Sequence, residues 1–154
     1  MPDTDNPPSV DDAGAADTAA SRAVVAVHLA ALRRQFVAIR EIFGAEPPHR
    51  AREALWVSLE VIQAELHGEQ LALRDLVVRA NGLLSAPTLS RVVSELEQGG
   101  LLLAELTVSE QGRLKVLRPT QRARDLLASR ADAALSEFAE IIRRADEDGA
   151  LGLG

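Results

Sequence analysis

Five side chains that form hydrogen bonds readily are spaced through residues 85–94 of this chain: Ser85, Thr88, Ser90, Arg91 and Ser94. A hydroxyl group both donates and accepts hydrogen bonds, and a guanidinium presents five N–H donors. The chemistry that these residue types support is reversible recognition of polar groups such as phosphate oxygens and base edges, without making or breaking a covalent bond. They are therefore candidate binding residues.

A second candidate group, Arg113 and Lys115, follows a polar connection that ends in glycine. Residues 101–108 and 113–118 are two runs in which apolar and polar residues partly alternate, and residues 109–112 between them are Ser-Glu-Gln-Gly. This pattern predicts a β-hairpin with the polar residues as its connection. Arg113 would then stand at the tip, where a guanidinium projects farthest from the core.

Two short helices are predicted to position these groups. Residues 74–80 have one apolar face, and Asn81 and Gly82 after them can adopt the backbone conformation that ends a helix. Ser85 is suited to cap the next helix, whose buried face is predicted to contain Leu89, Val92, Val93 and Leu96 before Gly99 and Gly100 end it. The order of helix, turn, helix, hairpin and a long helix from Thr120 is that of a winged helix-turn-helix.

Longer apolar stripes flank this segment. In residues 21–43 the spacing of four and three predicts a helix that packs lengthwise on another helix, with a seam of Val25, Leu29, Leu32, Phe36, Ile39 and Phe43. A second helix is predicted from Pro47-Pro48, with a buried face of Leu55, Leu59, Ile62 and Leu66. Trp56 is off that face, so it contacts either another helix or subunit or the rim of the same core.

The last helix, about residues 120–145, carries a further apolar face of Ala123, Leu127, Ala134, Phe138, Ile141 and Ala145. The first and last helices together have more apolar surface than the segment between them can cover. A second subunit is the simplest cover, so the sequence predicts a homodimer.

Charge and composition bound the class of protein. The chain has 154 residues, no cysteine and a net charge of −6, which counts against binding to phosphates. Eight of the acids lie in the two ends, residues 3–17 and 146–148, and the remainder has a charge of +2. Residues 1–20 and 149–154 are predicted to be a disordered acidic tail and a flexible C-terminus. No apolar run is long enough to cross a membrane, which predicts a cytoplasmic protein without a membrane partner.

No catalytic pattern is present in the sequence. It contains neither a glycine-rich phosphate loop nor a nucleophile elbow, and the three histidines are scattered at His28, His49 and His67. The sequence therefore predicts no enzyme, no metal site and no cofactor.

Residues 85–101 (SAPTLSRVVSELEQGGL) and, after the hairpin, residues 117–127 (LRPTQRARDLL) resemble the DNA-binding lobe of MarR-type transcriptional regulators. The resemblance extends over about residues 21–145. It implies a mostly α fold with a small β-wing, in which residues 21–148 form one domain. Residues 21–46 and 120–146 would be dimerisation helices, and residues 47–119 the DNA-binding lobe.

The resemblance also implies how the site residues act. The residues in 85–94 would face the major groove of double-stranded DNA, and Arg113, seven residues before Thr120, would reach the minor groove with Lys115 nearby. Many members of the family respond to small, often aromatic acids that bind between the dimer helices and the lobe. A ligand-responsive repressor is the function expected from this resemblance.

Two alternatives stay open at this point. The chain could be a winged-helix dimer that serves as a protein-interaction module, which its acidic residues favour. Arg91 could form an intrahelical ion pair with Glu95, four residues later, and Arg113 could be a solvated hairpin residue.

Overall fold

Two long helices, the first and the last elements of the described chain, flank a segment of shorter helices and strands. A computed structural model describes residues 10–110 and 112–147, with side chains from Ala19 onward. The chain is mostly helical, with a small antiparallel sheet. The elements in order are α1 (Val10–Phe43), α2 (Pro48–Leu66), β1 (Leu71–Ala72), α3 (Leu73–Ala80), α4 (Ala86–Gln98), β2 (Leu102–Ser109), β3 (Gly112–Pro119) and α5 (Gln121–Glu147).

The contacts divide the chain into two compact units. The central unit comprises residues 38–130, and the helical unit comprises residues 1–37 and 131–154 as far as these are described. Helix α1 begins in the helical unit and ends in the central unit, whereas α5 begins in the central unit and ends in the helical unit.

The sheet of the central unit has the strand order β1-β3-β2. Strands β2 and β3 pair from Leu102↔Pro119 to Ser109↔Gly112, which confirms the predicted hairpin. The prediction of a two-stranded ribbon was incomplete, because β1 adds a third strand by pairing with Val116 and Leu117. A strand of two residues is too short to show the alternation by which strands are found in a sequence.

Local capping signals fix the ends of α3 and α4. Asn81 and Gly82 end α3 with φ values of 48° and 80°, the left-handed region that the sequence predicted for them. The Ser85 hydroxyl accepts a hydrogen bond from the backbone N–H of Thr88 at 3.3 Å, as expected of a residue that caps the start of α4. Gly99 and Gly100 follow the last turn of α4, as predicted.

The base of the hairpin is tied to its surroundings by three hydrogen bonds. The Thr120 hydroxyl donates to the carbonyl of Gly100 at 2.8 Å and accepts from the backbone N–H of Ala123 at 3.2 Å. Arg122 donates to the carbonyl of Gly99 at 2.7 Å. These bonds join the end of α4, the end of β3 and the start of α5.

The hydrophobic core of the central unit draws on α2, all three strands, α3, α4 and the start of α5. The predicted buried face of α2 was only partly correct, because Ile62 is 6% exposed but the predicted leucines are not buried. Ala54, Val57, Val61 and Ala64 face this core, whereas Leu59 and Leu66 are exposed and Leu55 is half-buried. Small residues let α2 approach its neighbours closely, whereas the spacing of the larger leucines had predicted a different buried face. Trp56 is half-buried and packs on the rim of the core, as one of the two alternatives predicted.

In the helical unit, α1 starts at Val10 and so includes half of the segment that was predicted to be disordered. Residues 10–20 are rich in alanine, the residue with the highest helix propensity, and the prediction considered only how little surface they could bury. Residues 1–9 and 148–154 lie outside the described residues. Arg34 of α1 bonds to Glu137 of α5 at 2.9 Å and to the carbonyl of Ala133 at 3.1 Å.

The predicted seam of α1 is uncovered along much of its length. Val25, Leu29, Leu32 and Phe36 keep between 45% and 63% of their surface exposed within one chain. On α5, Leu135 and Ile142 are also exposed. Among the helices of the described residues, none is apolar enough over a sufficient length to cross a membrane.

Candidate nucleic-acid interface

The candidate residues of α4 lie on different sides of the helix. Leu89, Val92, Val93 and Leu96 are at most 2% exposed and fix which side faces the core. Ser90 and Ser94, one turn apart, are exposed on another side of the helix, in line with Glu97. Their hydroxyls are therefore available to a partner outside the core.

Ser85 and Thr88 serve the start of α4. The Ser85 hydroxyl donates to the Thr88 hydroxyl at 2.9 Å as well as accepting from the Thr88 backbone. The hydroxyls of Ser85 and Thr88 are thus already hydrogen-bonded to each other. Thr88 is also half-buried.

Arg91 is held by two carboxylates. Its Nη2 lies 2.6 Å from Oε2 of Glu53 on α2, and its Nη1 lies 3.0 and 3.1 Å from the carboxylate oxygens of Glu95. The hydrogen bonds to Glu95, and then those to Glu53, raise the pKa of Arg91 above its ordinary value despite partial desolvation. The pairing with Glu95 that was left open as an alternative is present, and the added bond to Glu53 ties α4 to α2.

A groove of about 350 Å³ lies between the start of α3, the first half of α4 and β3. It brings together three of the predicted residues, Ser90, Arg113 and Lys115, with Arg74 of α3. The remaining lining is apolar: Ala72, Leu73, Val77, Ala86 and Leu114. The lining thus contains three cationic side chains and a hydroxyl, which are groups that bind anions.

The two hairpin cations differ in their surroundings. Arg113 is exposed and, among the residues that the structure describes, forms no ion pair. The Nζ of Lys115 lies 3.5 Å from Oε1 of Glu97, near the end of α4, and both side chains are about one-third exposed. Arg113 is therefore the less neutralised of the two.

Other carboxylates of the central unit are paired away from the groove. Arg79 bonds to Glu60 at 3.0 Å and Glu69 at 2.8 Å, and these bonds, Glu60 first, raise its pKa. Together with the pairs that Arg91 forms, they account for four carboxylates: Glu53, Glu60, Glu69 and Glu95. These four carboxylates are absent from the lining of the groove, whereas Glu97 lies beside Lys115.

Sequence reasoning missed Arg74. The sequence did not predict that Arg74 lies beside Arg113, because the pairing of β1 with β3 that brings them together was not predicted. Arg91, in contrast, was assigned to the binding surface and is engaged toward α2. Within the described residues, no group of three or more His, Asp or Glu side chains is placed to hold a metal ion.

Comparison of this chain with protein-family models and with curated proteins gives no match to either.

Proposed function

We propose that this protein is a dimeric DNA-binding transcriptional regulator with a winged helix-turn-helix lobe. The observation that supports it is the groove between α4 and the hairpin, which brings Arg74, Arg113 and Lys115 together. Phosphate oxygens are the natural ligands of such a groove, since Arg and Lys contacts to phosphates position a protein on DNA.

In this proposal α4 enters the major groove with Ser90 and Ser94 toward the base edges, and the groove cations contact the adjacent phosphates. Arg113, at the end of the wing formed by β2 and β3, reaches the minor groove, whose negative potential attracts arginine where the groove is narrow. Ser85 and Thr88 mainly hold the start of α4. The MarR-type pattern of residues 85–127 favours the same arrangement.

The dimer in this proposal forms through the exposed seam of α1 and the apolar residues of α5. Burial of four large side chains at about half exposure offers a substantial gain in hydrophobic free energy. A two-fold axis between the subunits would place two copies of α4 about 34 Å apart on one side of the duplex, and the operator would be an inverted repeat.

Salt-dependent binding of genomic DNA fragments tests the function. The groove cations of two subunits predict that log K falls steeply as log salt rises. A chain that binds no fragment at low salt, or whose binding does not change with salt, contradicts the proposal. Selection of the bound fragments should recover an inverted repeat.

The alternative is a winged-helix dimer that acts as a protein-interaction module. The ion pairs of Arg91 favour it, because Glu53 and Glu95 already occupy N–H groups that would otherwise contact DNA. Failure of all DNA binding in the salt titration, with a dimer still present, is the result that this alternative predicts.

The family resemblance further favours regulation by a small organic acid. An effector that releases the protein from DNA binds the free form more tightly. Aromatic carboxylates should then raise the melting temperature of the free protein and weaken its binding to DNA, and a compound set with neutral analogues as controls tests this.

A further inference from the structure

The tip of the hairpin carries two large apolar side chains far outside the core. Leu106 is 72% exposed and Val108 is 86% exposed. In the β2–β3 ladder Leu106 pairs with Lys115, and Val108 pairs with Arg113. Directly paired residues of an antiparallel ladder project from the same face, so these four side chains share one face of the hairpin tip.

This face of the hairpin begins in the hydrophobic core and extends beyond it. Toward the base of the hairpin the same face carries Leu102 and Leu117, both 2% exposed and part of the core. The buried part ends there, and Leu106 and Val108 extend beyond it. Their exposure is therefore not explained by the packing of the central unit.

The chemistry of the tip points to a partner that offers both apolar and anionic groups. Leu106 and Val108, the two exposed apolar residues of this face, are each paired with a cation, whereas Glu105 of the same strand lies on the opposite face because it pairs with Val116. A nucleic-acid backbone presents such an alternation, with deoxyribose carbons between its phosphates. Two side chains are also too little for a stable protein interface, which buries on the order of 1,000 Å² or more.

We propose that Leu106 and Val108 pack against deoxyribose at the edge of the minor groove while Arg113 reaches into it. This inference rests on the proposed DNA-binding function and adds a contact that does not depend on charge. Other proteins also place apolar side chains at the DNA minor groove, where these side chains insert between base steps. The contact should contribute to affinity at every salt concentration, in contrast to the ionic contacts.

The test compares DNA affinity across a salt titration for the full chain and its variants. We expect the double variant Leu106→Thr and Val108→Thr to bind about tenfold more weakly, by the loss of apolar contact, with the salt slope unchanged. Threonine keeps the preference for a β-strand, so the hairpin should persist. Arg113→Ala should instead lower the salt slope by about one.

Leu103→Thr is the matched control. Leu103 lies on the same strand and is 51% exposed, but it pairs with Arg118 and so projects from the opposite face. We expect its DNA affinity to stay within about twofold of the wild type, as for a residue without a contact. If the double variant unfolds, the DNA affinity of the single variant Val108→Thr is measured in its place.

The outcomes separate this inference from the proposed function. If the wild type binds DNA and Arg113→Ala weakens it, but neither threonine variant differs from the wild type, the apolar contact is absent and the function stands. A weakening that comes with a changed salt slope also overturns the apolar contact, since it indicates an effect on the cations. If the threonine variants lose dimerisation in sedimentation, the face is covered by a second copy of the chain, and the inference is wrong. If the wild type binds no DNA, the proposed function itself fails.

Discussion

Arg91 Nη2 lies 2.6 Å from Oε2 of Glu53, a residue on another helix and 38 positions earlier in the sequence. The same guanidinium bonds to both carboxylate oxygens of Glu95. One arginine therefore connects α2 and α4 through two carboxylates. This relationship changes what is expected of Arg91, which the sequence placed among the DNA-binding residues.

Substitution of Arg91 should affect stability more than recognition. We expect Arg91→Ala to lower the free energy of unfolding by about 1 kcal/mol, because Glu53 and Glu95 lose their common partner at a site that is one-third exposed. Its DNA affinity and base preference should stay near those of the wild type. Denaturant unfolding and binding to a selected operator measure the two effects. A relaxed preference at particular bases with unchanged stability would restore the original interpretation of Arg91.

Arg113 should behave in the opposite way. We expect Arg113→Ala to weaken binding to all sequences by about 1 to 3 kcal/mol and to lower the salt slope by about one, as loss of a groove contact requires. Stability should change by less than roughly 0.5 kcal/mol, because the side chain is exposed and without an ion pair among the described residues. Arg118→Ala, an exposed arginine on the other face of β3, is the control and should bind as the wild type does.

Dimerisation should depend on the seam of α1. We expect the wild type to sediment as a dimer at micromolar concentration and Leu32→Asp to sediment as a monomer, since a buried unpaired carboxylate costs on the order of several kcal/mol. Gln35→Asp adds the same charge outside the seam and should leave the dimer intact. A wild type that is monomeric at this concentration contradicts the dimer.

The end of α5 should be sensitive to acid. Hydrogen bonds from Arg143 at 2.7 and 2.9 Å, and then from Arg144 at 2.9 Å, lower the pKa of Glu140 from its ordinary value of 4.5 to about 2. A lowered pKa stabilises the folded state above the unfolded value. This contribution is complete above pH 4.5 and is lost as the pH falls toward 2. High salt should reduce it, because the groups are exposed.

A carbon-13 NMR titration of the Glu140 carboxyl measures this directly. Its midpoint should lie near pH 2 in the wild type and move toward 4.5 in Arg143→Gln. Arg118→Gln removes a distant arginine and should leave the midpoint where it is. A wild-type midpoint near 4.5 would show that the ion pairs of α5 do not persist in solution.

The structural features that the sequence predicted are those that depend on residues close together in the chain. The ends of α3 and α4 depend on Asn81, Gly82 and Ser85, whose conformational preferences act within a few residues, and these ends were predicted correctly. The hairpin was predicted for the same reason, although its strands approach the turn more closely than the four-residue connection implied.

The remaining features depend on partners that are distant in the sequence. Strand β1 exists only through its pairing with β3, and Arg74 reaches the groove as a result. The core-facing side of α2 depends on which neighbours it packs against, and periodicity alone favoured the leucines over Ala54 and Val57. Arg91 shows both cases, since its bond to Glu95 was foreseeable from spacing and its bond to Glu53 was not.

The hydrogen bonds of Thr120 and Arg122 at the base of the hairpin have a consequence for how the protein can diverge. They secure the stem at Gly99 and Gly100, while Leu106 and Val108 at the tip are 72% and 86% exposed. Descendants of this chain can therefore change the length or the side chains of the tip at little cost to folding. New binding preferences should arise there first, and α4, whose four core residues constrain it, should change more slowly.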